Sequence, residues 1–486
     1  MRPRILITLL TAAATTSTIL LVPTSPASAA PTVPASAPAS APTSAPTSAS
    51  ISASTSASNA RRHCAGRTRI AVPRAEKQKL SCLDDLTTAG TTTSGHTNPN
   101  DWSGLNAPGT ANPSGIPGIQ VDGYFPDTST SNTNNGWNHD SQFVIRLPDR
   151  WNGKLVVSGA PGTRTQYAGD FLFSDWLLAR GYAYAMTDKG NSGGSFQNDG
   201  ATPGDAVAEW NRRVTQLTRA TKSVVRQSYR RAPRRTYLVG ISNGGYLTRW
   251  QLENRPRLYD GGIDWEGTLF RAAGPNLFTY LPTALRDYPK YRAGDESAHR
   301  RMLAAGFAPG SEFTWEYHYG VYWDLTQRLY REEFDPSYDG ALNAGVPFCQ
   351  SGTPSCDADY DYSKRPSART AMRKVQLTGN LRRPMLTLHG TLDALLPIAT
   401  DSDVYTKLIR HRRHGGLHRY YRIVGGTHVD GLNGTYGDRV RPILPCARTA
   451  FTRLTAWVEH HRKPPRSHTV ARPGAGSDTT NTCSLG

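Results

Sequence analysis

Residues 236–253 read TYLVGISNGGYLTRWQLE. Thr236 to Val239 is a short β-branched and apolar run that enters Gly240, Ile241, Ser242, Asn243 and Gly244, a GxSxG pattern. Tyr246 to Glu253 leaves it with helical character. A sharp strand-to-helix turn of this kind holds a serine Oγ proud of a sheet, and small residues on either side let the backbone fold that tightly. Ser242 is therefore the candidate nucleophile.

The pattern occurs a second time, at Gly190, Asn191, Ser192, Gly193 and Gly194, and context separates the two. Ser195, Asn198, Asp199, Gly200 and Pro203 follow Ser192, a loop composition with no helix in it. Ser192 is expected to be a loop serine.

Outward from the elbow, strands and helices alternate. Upstream, Ser141 to Leu147 and Lys154 to Ser158 read as strands, the latter followed by the turn Gly159, Ala160, Pro161, Gly162. Phe171 to Arg180 reads as a helix ending at Gly181, and Tyr182 to Thr187 as the next strand. Asp205 to Tyr229 carries Val207, Trp210, Val214, Leu217, Ala220, Val224 and Val225 at the three-to-four spacing of an amphipathic helix. Downstream, Gly261 to Glu266 is the next strand. The alternation then breaks over residues 267–379, where aromatics such as Phe278, Trp315, Tyr322, Trp323 and Tyr330 crowd the chain. It resumes with the strand Pro384 to Leu388, a helix from Asp401 to Arg412, the strand His418 to Val424 and a helix from Ala447 to His461. This order predicts an α/β architecture: a mostly parallel sheet with helices on both faces. The core is expected in two parts, 141–266 and 380–465, with residues 267–379 inserted as an aromatic-rich cap.

A serine hydroxyl needs a positioned general base, and the base needs an acid to orient it and stabilise its imidazolium. In the α/β-hydrolase fold the three follow in the order Ser, acid, His. His389, Gly390, Thr391, Leu392, Asp393 places an aspartate just past a strand, and Gly425, Gly426, Thr427, His428 delivers a histidine just past the next. Asp393 and His428 are the candidate acid and base. Glu266, at the end of the strand after the nucleophile helix, is the rival acid, and His389 is expected to pack beneath the site. For the oxyanion, the backbone N–H after the nucleophile, that of Asn243, is one donor. Ala160 is the choice for the second, with Gly159 or Gly162 as replacements. Such a device requires no cofactor. Asp357, Asp359 and Asp361 alternate in a way that could hold a structural calcium, although the glycine and distal glutamate of an EF-hand are missing.

Met1 to Ala29 has the basic head, apolar stretch and Ala27, Ser28, Ala29 cleavage site of a secretory signal. Residues 30–60 are almost wholly Ala, Ser, Pro and Thr and read as a disordered linker. An N-terminal arm, 61–140, and a C-terminal tail, 466–486, flank the core. The six cysteines lie after the signal, and in an oxidising compartment three disulfides are expected. Cys64–Cys82, Cys349–Cys356 and Cys446–Cys483 form the simplest pairing among the several that sequence allows. A net charge of +18 suggests nucleic acid, but the arginines are scattered and no nucleic-acid-binding motif accompanies them, so a solvated basic surface is expected. No segment after the signal approaches membrane-spanning length.

Four blocks, ARGYAYAMTDKG at 179–190, GISNGG at 240–245, HGTLDALLP at 389–397 and GTHVD at 426–430, resemble the secreted 3-hydroxybutyrate oligomer hydrolases and the related tannase and feruloyl esterase group. The resemblance implies Ser242 as nucleophile, Asp393 as acid and His428 as base. It also implies a small-molecule or oligomeric ester as substrate. Many tannase and feruloyl esterase relatives carry a disulfide-linked cysteine pair beside the catalytic serine and histidine; here those neighbours are Ile241 and Val429. That difference leans the expectation towards hydroxyalkanoate oligomers, with aromatic esters, then peptides or insoluble polyesters, as alternatives.

Overall fold

The computed structural model describes Cys64 and residues 69–338, 357–474 and 476–486. The expected signal, linker and Cys349–Cys356 bridge lie outside the described residues.

Ten strands form one sheet. They are β1 (Lys77–Leu83), β2 (Gly118–Tyr124), β3 (Gln142–Pro148), β4 (Lys154–Gly159), β5 (Ala183–Thr187), β6 (Arg235–Ile241), β7 (Gly261–Trp265), β8 (Met385–Gly390), β9 (His418–Ile423) and β10 (His468–Val470). Their spatial order is β1-β2-β3-β5-β4-β6-β7-β8-β9-β10. The first three pairings are antiparallel, and all those from β5/β4 onward are parallel. The exchange of β4 and β5 followed by a parallel run is the α/β-hydrolase arrangement, so the expected fold class holds.

The parallel strands are covered on both faces, which is why they read as continuous apolar runs. Side chains alternate between two cores. Leu155, Val157 and Leu238 join the core on one face, whereas Val156, Tyr237, Val239 and Ile241 join that on the other. The first face is covered by α1 (Asp205–Tyr229), whose Val207, Trp210, Val214 and Leu217 are buried as their spacing predicts. It is also covered by α2 (Asn243–Asn254), the helix that leaves the elbow. Between β7 and β8 come the cap helices α3 (Leu277–Arg292), α4 (Glu296–Ala304) and α5 (Asp324–Phe334). The aromatics noted in the sequence form the cap's interior. Trp323 packs against Tyr288 and Phe307 with ring centroids 5.9 and 5.2 Å apart, and its indole N–H donates to the Ala394 carbonyl at 2.7 Å. Tyr280 donates to the Leu395 carbonyl at 3.2 Å, so the cap is tied to the loop after β8 at two adjacent carbonyls. Two helices complete the second half, α6 (Ser402–His411) and α7 (Leu444–His460).

The sheet begins well before Ser141 and ends beyond residue 465. β1 is a lysine-rich edge strand in which only Leu83 is buried, a composition that protects an edge and hides the strand from an apolar-pattern reading. β10 is three residues long and is stapled near α7 by Cys446–Cys483; Cys64–Cys82 ties the arm to β1. The helix expected from Phe171 to Arg180 is instead a π-helical turn, Asp170–Ser174, followed by one α-turn, Asp175–Leu178. Buried polar anchors hold this stretch: Arg146 grips Asp170 at 2.6 Å, and Asp175 accepts from Thr88. No helix among the described residues is long and apolar enough to cross a membrane.

Asp357, Asp359 and Asp361 are not gathered around one point. A turn at Asp357, closed by the Tyr360 N–H, sends the three carboxylates to separate partners. Asp357 is buried against Arg331 at 3.0 Å and Arg328 at 3.3 Å, Asp359 accepts from Tyr338, and Asp361 accepts from Ser363 and pairs with Lys364. Two guanidiniums already neutralise the one carboxylate that is deeply buried.

Candidate active site

At Ser242 the backbone takes φ 57° and ψ −123°, a region L-residues rarely occupy and one found where surrounding structure over-determines a functional turn. The flanking glycines show what imposes it: a Cβ on Gly240 would lie 2.1 Å from the Gly244 carbonyl oxygen, and one on Gly244 would lie 2.6 Å from that of Gly159. Only hydrogens fit where β6 hands over to α2.

Asp393 and His428 arrive from the loops after β8 and β9. These ends are held together by the Leu392 N–H donating to the Gly426 carbonyl at 2.9 Å. The Ser242 hydroxyl lies 3.1 Å from His428 Nε2, and His428 Nδ1 lies 2.8 Å from Asp393 Oδ2. With Asp393 ionised, the consistent tautomer has Nδ1–H donating to the carboxylate and Nε2 accepting from the serine. The other Asp393 oxygen accepts the Leu395 and Leu396 N–H groups, each at 2.8 Å. Burial works against ionisation of Asp393, but the neighbouring His428 and His389 hold its carboxyl well below the usual range.

Glu266 is the more distant acid, 3.7 Å from His428 Nδ1. Its Oε1 accepts the Gly390 N–H at 2.5 Å, while Oε2 is buried with no hydrogen-bond partner among the described residues. Burial, and then the Asp393 charge, raise its pKa well above the carboxylate range, so it stays protonated beside an ionised neighbour. His389 sits beneath the acid as expected: Nε2–H donates to the Leu396 carbonyl at 2.9 Å, and Nδ1 accepts from Ser402 at 2.7 Å. Ser402 and Asp401 in turn accept from Arg249 on α2 at 2.7 and 2.8 Å, so one buried network joins the nucleophile helix to the acid loop.

Asn243 opens α2, where the helix N-terminus favours negative charge. Its side-chain amide donates to the Gly162 carbonyl at 3.0 Å and to Tyr330 at 2.5 Å, locking the loop after β4 against the elbow. Ala160 cannot serve as the second oxyanion donor, because its N–H donates to the Thr187 carbonyl at 3.1 Å and so continues the β4/β5 pairing. The loop residues that line the cavity are Pro161, Gly162, Thr163 and Arg164; Pro161 has no N–H, and that of Arg164 bonds the Pro161 carbonyl. Gly162 and Thr163 are left as candidates. Ser192 lies outside this constellation, its hydroxyl directed at Asp140 and Ser131, each at 3.2 Å.

Ser242, Asn243 and His428 open into a cavity of about 260 Å³ whose walls are largely apolar, with Leu277, Leu325, Leu329, Leu395 and Leu396 among them. Ile241 and Val429 also line it. A wider depression of about 850 Å³ near Arg74, Arg212, Arg219 and Trp250 holds none of the three reactive residues, so the chemistry points to the smaller space. Two lining groups were not singled out from sequence: Arg164, which follows an ordinary Pro-Gly-Thr turn, and Thr268, whose hydroxyl donates to the Asn243 side chain at 2.9 Å. Asp430 was also unremarked; it accepts the Ile443 and Leu444 N–H groups at 2.7 and 2.8 Å and anchors the start of α7 just past His428.

Residues 128–265, the segment containing β3 to β7 and the elbow, match the family described as Tannase and feruloyl esterase. The mono(2-hydroxyethyl) terephthalate hydrolase of Piscinibacter sakaiensis is 27% identical over 141 residues, 26% of this chain and 23% of that protein. The match thus spans less than a quarter of that relative. Among solved structures, feruloyl esterase B from Aspergillus oryzae is similar with a TM-score of 0.49 at 14% identity, covering 83% of this chain and 91% of that one. Tannin acyl hydrolase from Aspergillus niger is similar with a TM-score of 0.45 at 12% identity, covering 81% and 86%. The family match falls on the segment that carries Ser242, within a sheet whose strand order is that of an α/β-hydrolase.

Proposed function

We propose that the protein is an exported serine hydrolase that cleaves carboxylic esters through an acyl-enzyme. One observation carries the reading: Ser242, His428 and Asp393 form an unbroken hydrogen-bonded chain at an apolar cavity. Ser242 Oγ attacks the ester carbonyl while its proton passes to His428 Nε2. Asp393 holds the ring in the receptive tautomer and stabilises the imidazolium. The oxyanion is met by the Asn243 N–H and by that of Gly162 or Thr163. Collapse expels the alcohol, which takes the proton from His428; water then repeats the sequence and frees Ser242 and the acid. Two disulfides among the described residues suit an oxidising compartment and support export.

The substrate we infer is a short hydroxyalkanoate oligomer of the 3-hydroxybutyrate type, whose branched aliphatic units suit the leucine-lined walls. Aromatic esters are the second reading, favoured by the family match and by the aromatic acyl groups named in the relatives. Turnover of 3-hydroxybutyrate oligomers, methyl ferulate and methyl gallate by the full chain, with Ser242→Ala as the blank, tests both. Preference for the oligomers supports the first reading and preference for the aromatic esters the second. Full activity in Ser242→Ala removes the mechanism. Ser192→Ala is expected to turn over at the wild-type rate.

A further inference from the structure

The loop after β4 brings one permanent cation to the cavity. Among the described residues lining that space, Arg164 is the only Lys or Arg, and none is Asp or Glu. Its guanidinium is held from one side by backbone: Nη1 donates to the Asp101 carbonyl at 2.7 Å and more weakly to that of Asn100 at 3.4 Å, and Nη2 donates to that of Ser103 at 2.9 Å. A guanidinium has five N–H groups, so Nε–H and one Nη2–H meet no described acceptor. No described carboxylate pairs with it. The nearby Asp101 side chain is committed elsewhere, accepting from Thr165, from Asn134 and from the Tyr167 N–H.

A half-buried cation beside leucine walls is favoured by a counter-charge. Burial accordingly pushes the Arg164 guanidinium below its usual pKa, although a guanidinium keeps its proton at any working pH. Carbonyl oxygens orient the group without neutralising it. The partner that adjacent guanidinium N–H groups bind best is an anion with two oxygens side by side.

We propose that Arg164 anchors a carboxylate on the substrate, so that the preferred ester carries a free acid group separated from the scissile bond. An oligomer of 3-hydroxybutyrate has such a group at its chain end; a methyl ester of an aromatic acid without a second carboxyl does not. The inference rests on the ester-hydrolase reading and selects among its substrates.

Binding, measured apart from turnover, tests it. In the full chain carrying Ser242→Ala, calorimetry compares a 3-hydroxybutyrate dimer as free acid with its methyl ester. The free acid is expected to bind about tenfold more tightly, as befits a charge-assisted pair at a half-buried site. Adding Arg164→Gln is expected to bring that ratio to about one, and Arg164→Lys, which keeps the charge but loses the fork, to an intermediate value. Equal binding of the two ligands by the Arg164 protein overturns the proposal, as does an undiminished preference in either variant. Should Arg164→Gln fail to fold because the arm is released, the Lys variant and the Arg164 protein still decide it. Turnover of the 3-hydroxybutyrate dimer, as free acid and as methyl ester, by the unsubstituted chain tests ester hydrolysis separately. Carboxylate-selective binding without such turnover would overturn the esterase reading and leave the anchor standing.

Discussion

At the residue scale, the site turns on which of two buried acids carries the charge. Asp393, held towards ionisation by His428, contacts that ring at 2.8 Å, whereas Glu266, pushed towards protonation by burial, is 3.7 Å away. Asp393→Asn is expected to lower kcat by roughly 10³–10⁴-fold, because an amide stabilises the wrong tautomer and no imidazolium. Glu266→Gln replaces one neutral group by another of the same shape, and its kcat is expected to stay within about tenfold of wild type. Steady-state kinetics on one ester distinguishes the two, and a reversed order would make Glu266 the working acid. The candidate acid and base were legible because each follows a strand in the expected order. The second oxyanion donor was not, because whether Ala160 N–H is free depends on where Thr187 lies across the sheet. A backbone donor's destination is a property of neighbouring strands and leaves no trace in its own residue type.

At the scale of elements, the elbow is the least tolerant piece of the fold. Gly240→Ala places a methyl group against the Gly244 backbone, which cannot move without displacing Ser242. The substitution is expected to cost about 1–3 kcal/mol and lower Tm by several degrees. Activity should fall further than stability, and thermal melts alongside kinetics would show it. An unchanged Tm with full activity would mean that the turn relaxes freely. Elements with strong periodicity were readable in sequence: α1 spans the residues its apolar spacing marks. β1 and β10 were not, the first because an edge strand carries lysines in place of an apolar stripe, the second because three residues hold no pattern. The cap's helices escaped for another reason. Their aromatics face one another as well as the core, which blurs any single stripe.

On the scale of the whole molecule, buried acids shape the response to pH. Burial raises Asp175, Asp188 and Asp430 to about 7 and Asp101 and Asp122 to about 6, all above their unfolded values. A carboxyl with a raised folded pKa binds its proton more readily in the native state, so the stability it contributes is complete below about pH 4 and is lost as pH rises through the folded value. His318 and His418 act oppositely: burial lowers them to about 4 and about 3, so they favour the native state above the unfolded value of about 6.5 and lose that contribution as pH falls. The acids outnumber the histidines, and Tm is expected to be higher at pH 5 than at pH 8. A melt series at constant ionic strength checks the sign, and a rising Tm across that interval would refute it.

Ser242 and His428 stand 186 positions apart along the chain and meet only because β6, β7, β8 and β9 have all taken their places side by side. The proposed nucleophile is therefore without its base in any chain that lacks these four paired strands. On the proposed mechanism, a chain in which these four strands have not yet paired hydrolyses nothing, and its first turnover cannot precede their assembly. Hydrolysis would then serve as a clock for assembly of β6 to β9, and in denaturant it should disappear together with the global transition.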